Sequence, residues 1–321
     1  MAKGYVKRLV KFLKWAIWGG VLFFLVQAIR ANWQDIAAIK ITSAGWGCVM
    51  AATGITLFAH IWSGWVWGWI LAALNYPQAQ GSWAILTYLK TNIAKYLPGN
   101  VWHFVGRVMS AKAIAIPIEA STVSVVMEAL LMAVAALLVG LLSSQHLNRP
   151  LQMTCLIIGL VGIHPRILNP IIKRLKQSKL KAIAPSTHPP TPPLTPPPTL
   201  PPSTTHLTHY PIAPLLGELG FLALRSLGFV TVAIAITPLS WAQLPALISG
   251  FSLAWMLGLV IPGAPGGIGV FEATAIALLG PSTHLSNGII LGTVALYRLV
   301  STLAEAMGAV TAWLDEKRSG D

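Results

Sequence analysis

Acidic residues are scarce in this chain. Nine aspartates and glutamates stand against 22 lysines and arginines in 321 residues, and the aspartates are Asp35, Asp315 and Asp321 alone. No Asp-x-Asp pair is available to hold a metal–nucleotide sugar, no Ser–His–Asp set is apparent, and no His-Glu-x-x-His occurs. Enzyme signals are therefore poor, and neither a catalytic residue, a cofactor nor a metal is expected. His103, beside Trp102 and near Lys95, is a candidate for acid–base chemistry, but an interfacial hydrogen-bonding role suits it better. Cysteine is scarce too. Cys48 and Cys155 both fall in apolar runs, so no disulfide framework is indicated, and no Cys/His spacing suggests zinc.

Charge of either sign is rare, at 10% of residues, whereas 55% are hydrophobic and the mean hydropathy is +0.68. Several apolar runs exceed the length needed to cross roughly 30 Å of hydrocarbon, which places the chain among polytopic membrane proteins. The net charge of +13 is not a nucleic-acid signal. It gathers in the flanks of the apolar runs, as anionic lipid headgroups and the positive-inside rule require.

The sequence predicts an all-α protein of seven or eight transmembrane helices with broken, re-entrant segments. A basic segment at residues 1–14 precedes an apolar run from Trp15 to Ile29. Val26-Gln27-Ala28 resembles a signal-peptide cleavage site, but an uncleaved first span is simpler. Further spans are expected at about Ala44–Leu74, Ser121–Leu142, Leu151–Ile163, Ile212–Thr237, Trp241–Ile261 and Asn287–Leu314. Gly64 and Gly68, among Trp62, Trp65, Trp67 and Trp69, read as a close helix-packing face. Residues 166–181 form a basic amphipathic stretch suited to an anionic leaflet. Three regions result: an N-terminal half at 1–184, a proline-rich linker at 185–210 and a C-terminal half at 211–321. If the N-terminus is cytoplasmic, the inside segments carry fifteen Lys and Arg against three outside, which favours that orientation.

Two breaks stand out. Pro98-Gly99 interrupts the first half, with Arg107 following. Ile261-Pro262-Gly263-Ala264-Pro265-Gly266-Gly267-Ile268-Gly269 interrupts the second, with Glu272 following. Broken backbone at bilayer depth is tolerated only where it is buried in protein or lines a wet cavity. Paired interruptions in two halves point to an internal repeat and a central transport site. On that reading Arg107 and Glu272 are neighbours. Gly266, Gly267 and Gly269 open a helix whose free amides suit an anion, or else serve only to let helices approach closely. The ionisable residues at membrane depth are Glu128, Glu218, Arg225, Glu272, Arg298 and Glu305. Each marks either a helix-to-helix ion pair or a site. Arg107 and Arg298 are the candidates for a lipid phosphate, because guanidinium grips phosphate in a two-pronged manner. Glu128 and Glu272 are candidates to balance charge or to take a proton.

Lys95-Tyr96-Leu97-Pro98-Gly99-Asn100-Val101-Trp102 with Gly106-Arg107 resembles a signature of the lysylphosphatidylglycerol synthase transmembrane-region family. Pro265-Gly266-Gly267-Ile268-Gly269-Val270-Phe271-Glu272-Ala273 resembles a second signature of that family. Tyr297-Arg298-Leu299 is similar to its aromatic–Arg element, and Glu128 looks like its acidic residue. The resemblance runs from about residue 15 to 314. It implies a multi-pass protein of the cell inner membrane, corresponding to the lipid-handling flippase part without the soluble aminoacyl-transferase domain. The expected function is binding or translocation of an anionic phospholipid or lipid-linked headgroup. Two other classes compete: a non-catalytic membrane partner of a glycosyltransferase or lipid-modifying enzyme, and a membrane-embedded transferase. Scarce acidic groups count against the latter.

Overall fold

A computed structural model of the chain describes residues 26–27, 30–97, 101–141, 149–170, 173, 206–260 and 267–319. Every regular element among them is helical. The expected first span apart from Val26 and Gln27, the Pro98-Gly99 break, the proline-rich linker up to residue 205 and the segment 261–266 lie outside the described residues. We number the helices α1 (Trp33–Ala38), α2 (Ser43–Ala73), α3 (Ser82–Asn92), α4 (Trp102–Ala113), α5 (Ile118–Gly140), α6 (Arg149–Gly162), α7 (Ile212–Ile236), α8 (Leu244–Val260), α9 (Val270–Thr283) and α10 (Asn287–Ser319).

Five of these segments are long and apolar enough to cross a membrane: α2, α5, α7, α8 with its leading turn from Trp241, and α10 up to Arg318. The apolar stretch expected to cross near Leu151–Ile163 forms the 14-residue α6, and the run after the glycine-rich break forms the 14-residue α9. At ~1.5 Å per residue a helix of that length covers only about 21 Å, short of the hydrocarbon thickness. The helices flanking the first break are shorter still, with 11 residues in α3 and 12 in α4.

Helix α2 sits at the centre. Thr42 caps its start by accepting the Gly45 amide at 3.1 Å, and Asn75, at φ +72°, ends its run. One side of α2 packs on α3 through Gly64, where an added Cβ would lie 2.9 Å from the Ile85 Cα. This is the close-packing face expected from the glycine pair. Another side packs on α7, where the Trp62 indole N–H donates to the Gly217 carbonyl at 2.8 Å. Trp67 is fully buried, donates to Ser124 on α5 and stacks on Trp83. Helix α10 closes the bundle. Tyr297 packs edge-on to Phe229 of α7 and Phe251 of α8, and its hydroxyl donates to the Arg225 carbonyl at 3.1 Å. Met50, Phe58, Leu216, Leu227, Leu299 and Met307 point outward and are exposed, as lipid-facing residues would be.

Candidate functional site

Charged side chains enter this bundle from five helices and from the 3-10 turn Ile93–Tyr96, and they form three clusters. The first joins α4 to α5. Arg107 Nη1 donates to Glu128 Oε2, and both side chains are almost fully buried. The guanidinium lies over Tyr88 at 4.4 Å and is flanked by Phe104 at 5.4 Å and Trp67 at 5.7 Å. A cation desolvated among aromatic faces gains about 2 kcal/mol from each good contact, which fixes the plane of Arg107. Arg107 Nε and Glu128 Oε1 have no hydrogen-bond partner among the described residues.

The second cluster joins α2, α3, the Ile93–Tyr96 turn, α7 and α10. Glu305 Oε1 accepts from Lys95 Nζ at 2.5 Å and from Ser301 at 3.1 Å, and lies 3.2 Å from His60 Nε2. Arg225 Nη1 donates to Ser301 at 2.8 Å and stands 3.4 Å from His60 Nε2. Asn92 Nδ2 is 3.4 Å from His60 Nδ1. Next to it the Tyr96 hydroxyl meets Thr302 at 3.0 Å. Arg225 Nε and Glu305 Oε2 have no hydrogen-bond partner among the described residues.

The third cluster is the glycine-rich element. Gly269 starts α9 at φ +87°, and its amide donates to Glu272 Oε2 at 2.6 Å, so the third residue of the helix caps its own first turn. Arg298 from α10 grips the same carboxylate with two prongs, Nε to Oε1 at 2.5 Å and Nη2 to Oε2 at 3.3 Å. Arg298 Nη2 also donates to the Gly267 carbonyl at 3.2 Å. Gly267 stands at φ +69°, where a Cβ would lie 2.8 Å from the Gly258 carbonyl oxygen. Only glycine fits both that conformation and that approach.

This geometry rearranges the expected site. Arg107 and Glu272 do not bond each other; Arg107 holds Glu128 and Glu272 holds Arg298. The Gly269 amide is already given to Glu272. Gly266 lies outside the described residues. The pairs Glu218–Arg225 and Arg298–Glu305, each spaced by seven on one helix, also find partners elsewhere or none. Arg225 turns to Ser301, Glu305 to Lys95, and fully buried Glu218 has no hydrogen-bond partner at either carboxyl oxygen.

A partly enclosed cavity of about 120 Å³ brings the first two clusters together. Its polar wall includes Lys95, Arg107, Arg225, His60, His103 and Glu128. Its apolar wall includes Phe221, Trp255 and Phe271. A single water needs about 10–15 Å³ of such space, so a phosphate-sized group fits with waters beside it. Lys95, His60 and Arg225 were not among the site residues expected from sequence. The signal was present in each: a histidine inside the long apolar α2, an arginine inside α7, and a lysine three residues before the break at Pro98. Among the described residues, no group of three His, Cys, Asp or Glu is placed to hold a metal ion.

The fold and site thus define an all-helical chain with five membrane-length apolar helices around a buried, charged cavity. No known family model matches the chain, and no curated protein sequence matches it significantly.

Proposed function

We propose that the chain binds the anionic headgroup of a phospholipid or lipid-linked molecule in the central cavity and carries it across the cell inner membrane. The observation behind this reading is the composition of the cavity wall. Lys95, Arg107 and Arg225 converge there, and among the described residues the carboxylates bonded to them are Glu305 on Lys95 and Glu128 on Arg107. Arg107 and Arg225 line that wall, each has a buried Nε with no hydrogen-bond partner among the described residues, and a guanidinium bond to a phosphate is worth about 1.5–3 kcal/mol. The aromatic side of the cavity suits the start of the acyl chains. The short helices around the two breaks are the kind of element that lines such a site without crossing the bilayer.

In this reading the chain is a multi-pass protein of seven or eight spans with its N-terminus cytoplasmic. Lys95 and Arg107 are buried in the bundle, so they drop out of the loop-charge count. The bias becomes thirteen to three and keeps its direction.

The test titrates the purified chain in detergent with dihexanoyl-phosphatidylglycerol and, separately, with glycerophosphoglycerol, the same headgroup without acyl chains. Arg107→Ala is expected to weaken lipid binding by about tenfold or more and to abolish movement of a fluorescent phosphatidylglycerol in proteoliposomes. Equal affinity for both probes would point to a soluble anion instead, and unchanged lipid movement in Arg107→Ala would defeat the transport reading.

A further inference from the structure

His60 occupies a position that no role described so far explains. It sits in the middle of α2, is 3% exposed and lines the cavity. Among the described residues, three charged groups stand beside it, and Tyr88, His103, Arg107 and Glu128 line the same cavity. Glu305 from α10 is 3.2 Å from Nε2, Arg225 from α7 is 3.4 Å from the same nitrogen, and Lys95 from the Ile93–Tyr96 turn shares Glu305 Oε1 with it. The remaining neighbours are neutral: Asn92 from α3 at Nδ1, Ser301 on the shared carboxylate and the Phe221 ring at 6.4 Å.

The demands on Nε2 conflict. The Glu305 oxygen asks it for a proton, whereas the Arg225 guanidinium asks it for a lone pair. The neutral ring answers the first demand, with Nε2–H donating to Glu305 and Asn92 donating to Nδ1. A second proton on Nδ1 is accommodated by one half-turn of the Asn92 amide, which then accepts through its oxygen. No backbone movement is needed. Two fixed cations, Lys95 and Arg225, stand against the one carboxylate beside this ring, and an imidazole is the side chain that changes charge most readily near neutral pH.

We propose that His60 takes up a proton when an anionic headgroup enters the cavity, so that headgroup binding and release are coupled to protons. The inference rests on the headgroup reading of the cavity. An anion placed among Lys95, Arg107 and Arg225 lies a few ångströms from the ring and offsets the two cations that oppose a further positive charge there. By reciprocity, a proton on His60 strengthens the hold on the anion by the same factor. A coupling of about tenfold corresponds to one unit charge acting on another across a partly polar site. Protonation from one side of the membrane and release to the other would then give headgroup movement a direction.

The experiment is calorimetric titration of the full chain in detergent with dihexanoyl-phosphatidylglycerol, whose phosphodiester keeps one negative charge throughout. Each titration is run at a single pH in two buffers of different ionisation heat, which counts the protons exchanged. The expected result is net uptake of a fraction of a proton per lipid in mildly acid buffer, and an affinity that rises by up to about tenfold as the pH falls, most of it below about pH 6. The wild-type count needs no variant. In His60→Gln the uptake is expected to vanish and the affinity to become flat with pH. Lipid binding without proton uptake in the wild type overturns the coupling and leaves the headgroup reading standing. Proton uptake that persists in His60→Gln removes His60 as the carrier. No lipid binding by the wild type ends both.

Discussion

The two broken elements of this bundle carry similar charges and treat them differently. Among the described residues at the second break, the charges are satisfied: Glu272 accepts from the Gly269 amide and from both prongs of Arg298, which also donates to the Gly267 carbonyl. Beside the cavity, near the first break and on α7 and α10, the charges are paired but unfinished. Arg107 Nε, Glu128 Oε1, Arg225 Nε, Glu305 Oε2 and His103 Nδ1 are buried with no hydrogen-bond partner among the described residues. Buried polar groups are normally satisfied, and each orphan costs about 1–3 kcal/mol. A closed network of this kind holds structure, whereas an open one beside a cavity marks where a ligand or ordered water completes it. The glycine-rich motif is thus a clamp that fixes α9 to α10, and the proposed binding rests on Lys95, Arg107 and Arg225 beside the cavity.

That contrast can be broken most severely at Glu272. Glu272→Ala strips Arg298 of its partner and α9 of its cap, and is expected to cost about 3 kcal/mol, read as a fall in Tm of the purified chain in detergent. The affinity of the remaining folded protein for phosphatidylglycerol should change little; a selective loss of affinity with Tm intact would move the site to the second break. Gly267→Ala comes next. Its φ of +69° and the 2.8 Å approach to the Gly258 carbonyl predict a loss of about 2 kcal/mol, measured the same way.

Glu218 sharpens the comparison from the other side. It is buried with both oxygens unbonded, so replacing it with an apolar side chain of similar length removes an unsatisfied group. Glu218→Met is expected to raise stability by about 1 kcal/mol, and a fall in Tm would show that the carboxyl has a partner in the working protein. The smallest effect belongs to Lys90–Glu316, a pair at 2.6 Å with both side chains more than half exposed. Lys90→Ala should shift stability by well under 1 kcal/mol, and less at high salt.

The architecture was largely legible in the sequence because apolar length and its interruptions are local properties. The long helices α2, α5, α7 and α10 fall where unbroken apolar runs place them, and the Gly64–Gly68 face packs as its spacing implies. The short apolar run expected at Leu151–Ile163 is a helix, Arg149–Gly162, close to those bounds, but it is not among the helices long enough to cross a membrane. The candidate site was legible by residue type but not by partner. Arg107, Glu128, Glu272 and Arg298 were each picked out as charges in an apolar setting, yet matching one break with the other paired Arg107 with Glu272. The partners are set by how helices cross, which spacing along one chain does not encode. His60 and Lys95 escaped for a related reason: each is one polar residue in an unremarkable local context, and becomes part of a site only when α10 brings Glu305 to both.

The central claim is that a lipid headgroup occupies the cavity beside Lys95, Arg107 and Arg225. Photo-crosslinking with phosphatidylglycerol carrying a diazirine next to the glycerol backbone tests it most directly, with adducts located by mass spectrometry. The account predicts adducts on cavity residues such as Phe104, Met132, Phe221 and Trp255, reduced in Arg107→Ala. Adducts confined to outward residues such as Met50, Phe58 and Leu216, unchanged by that substitution, would contradict it.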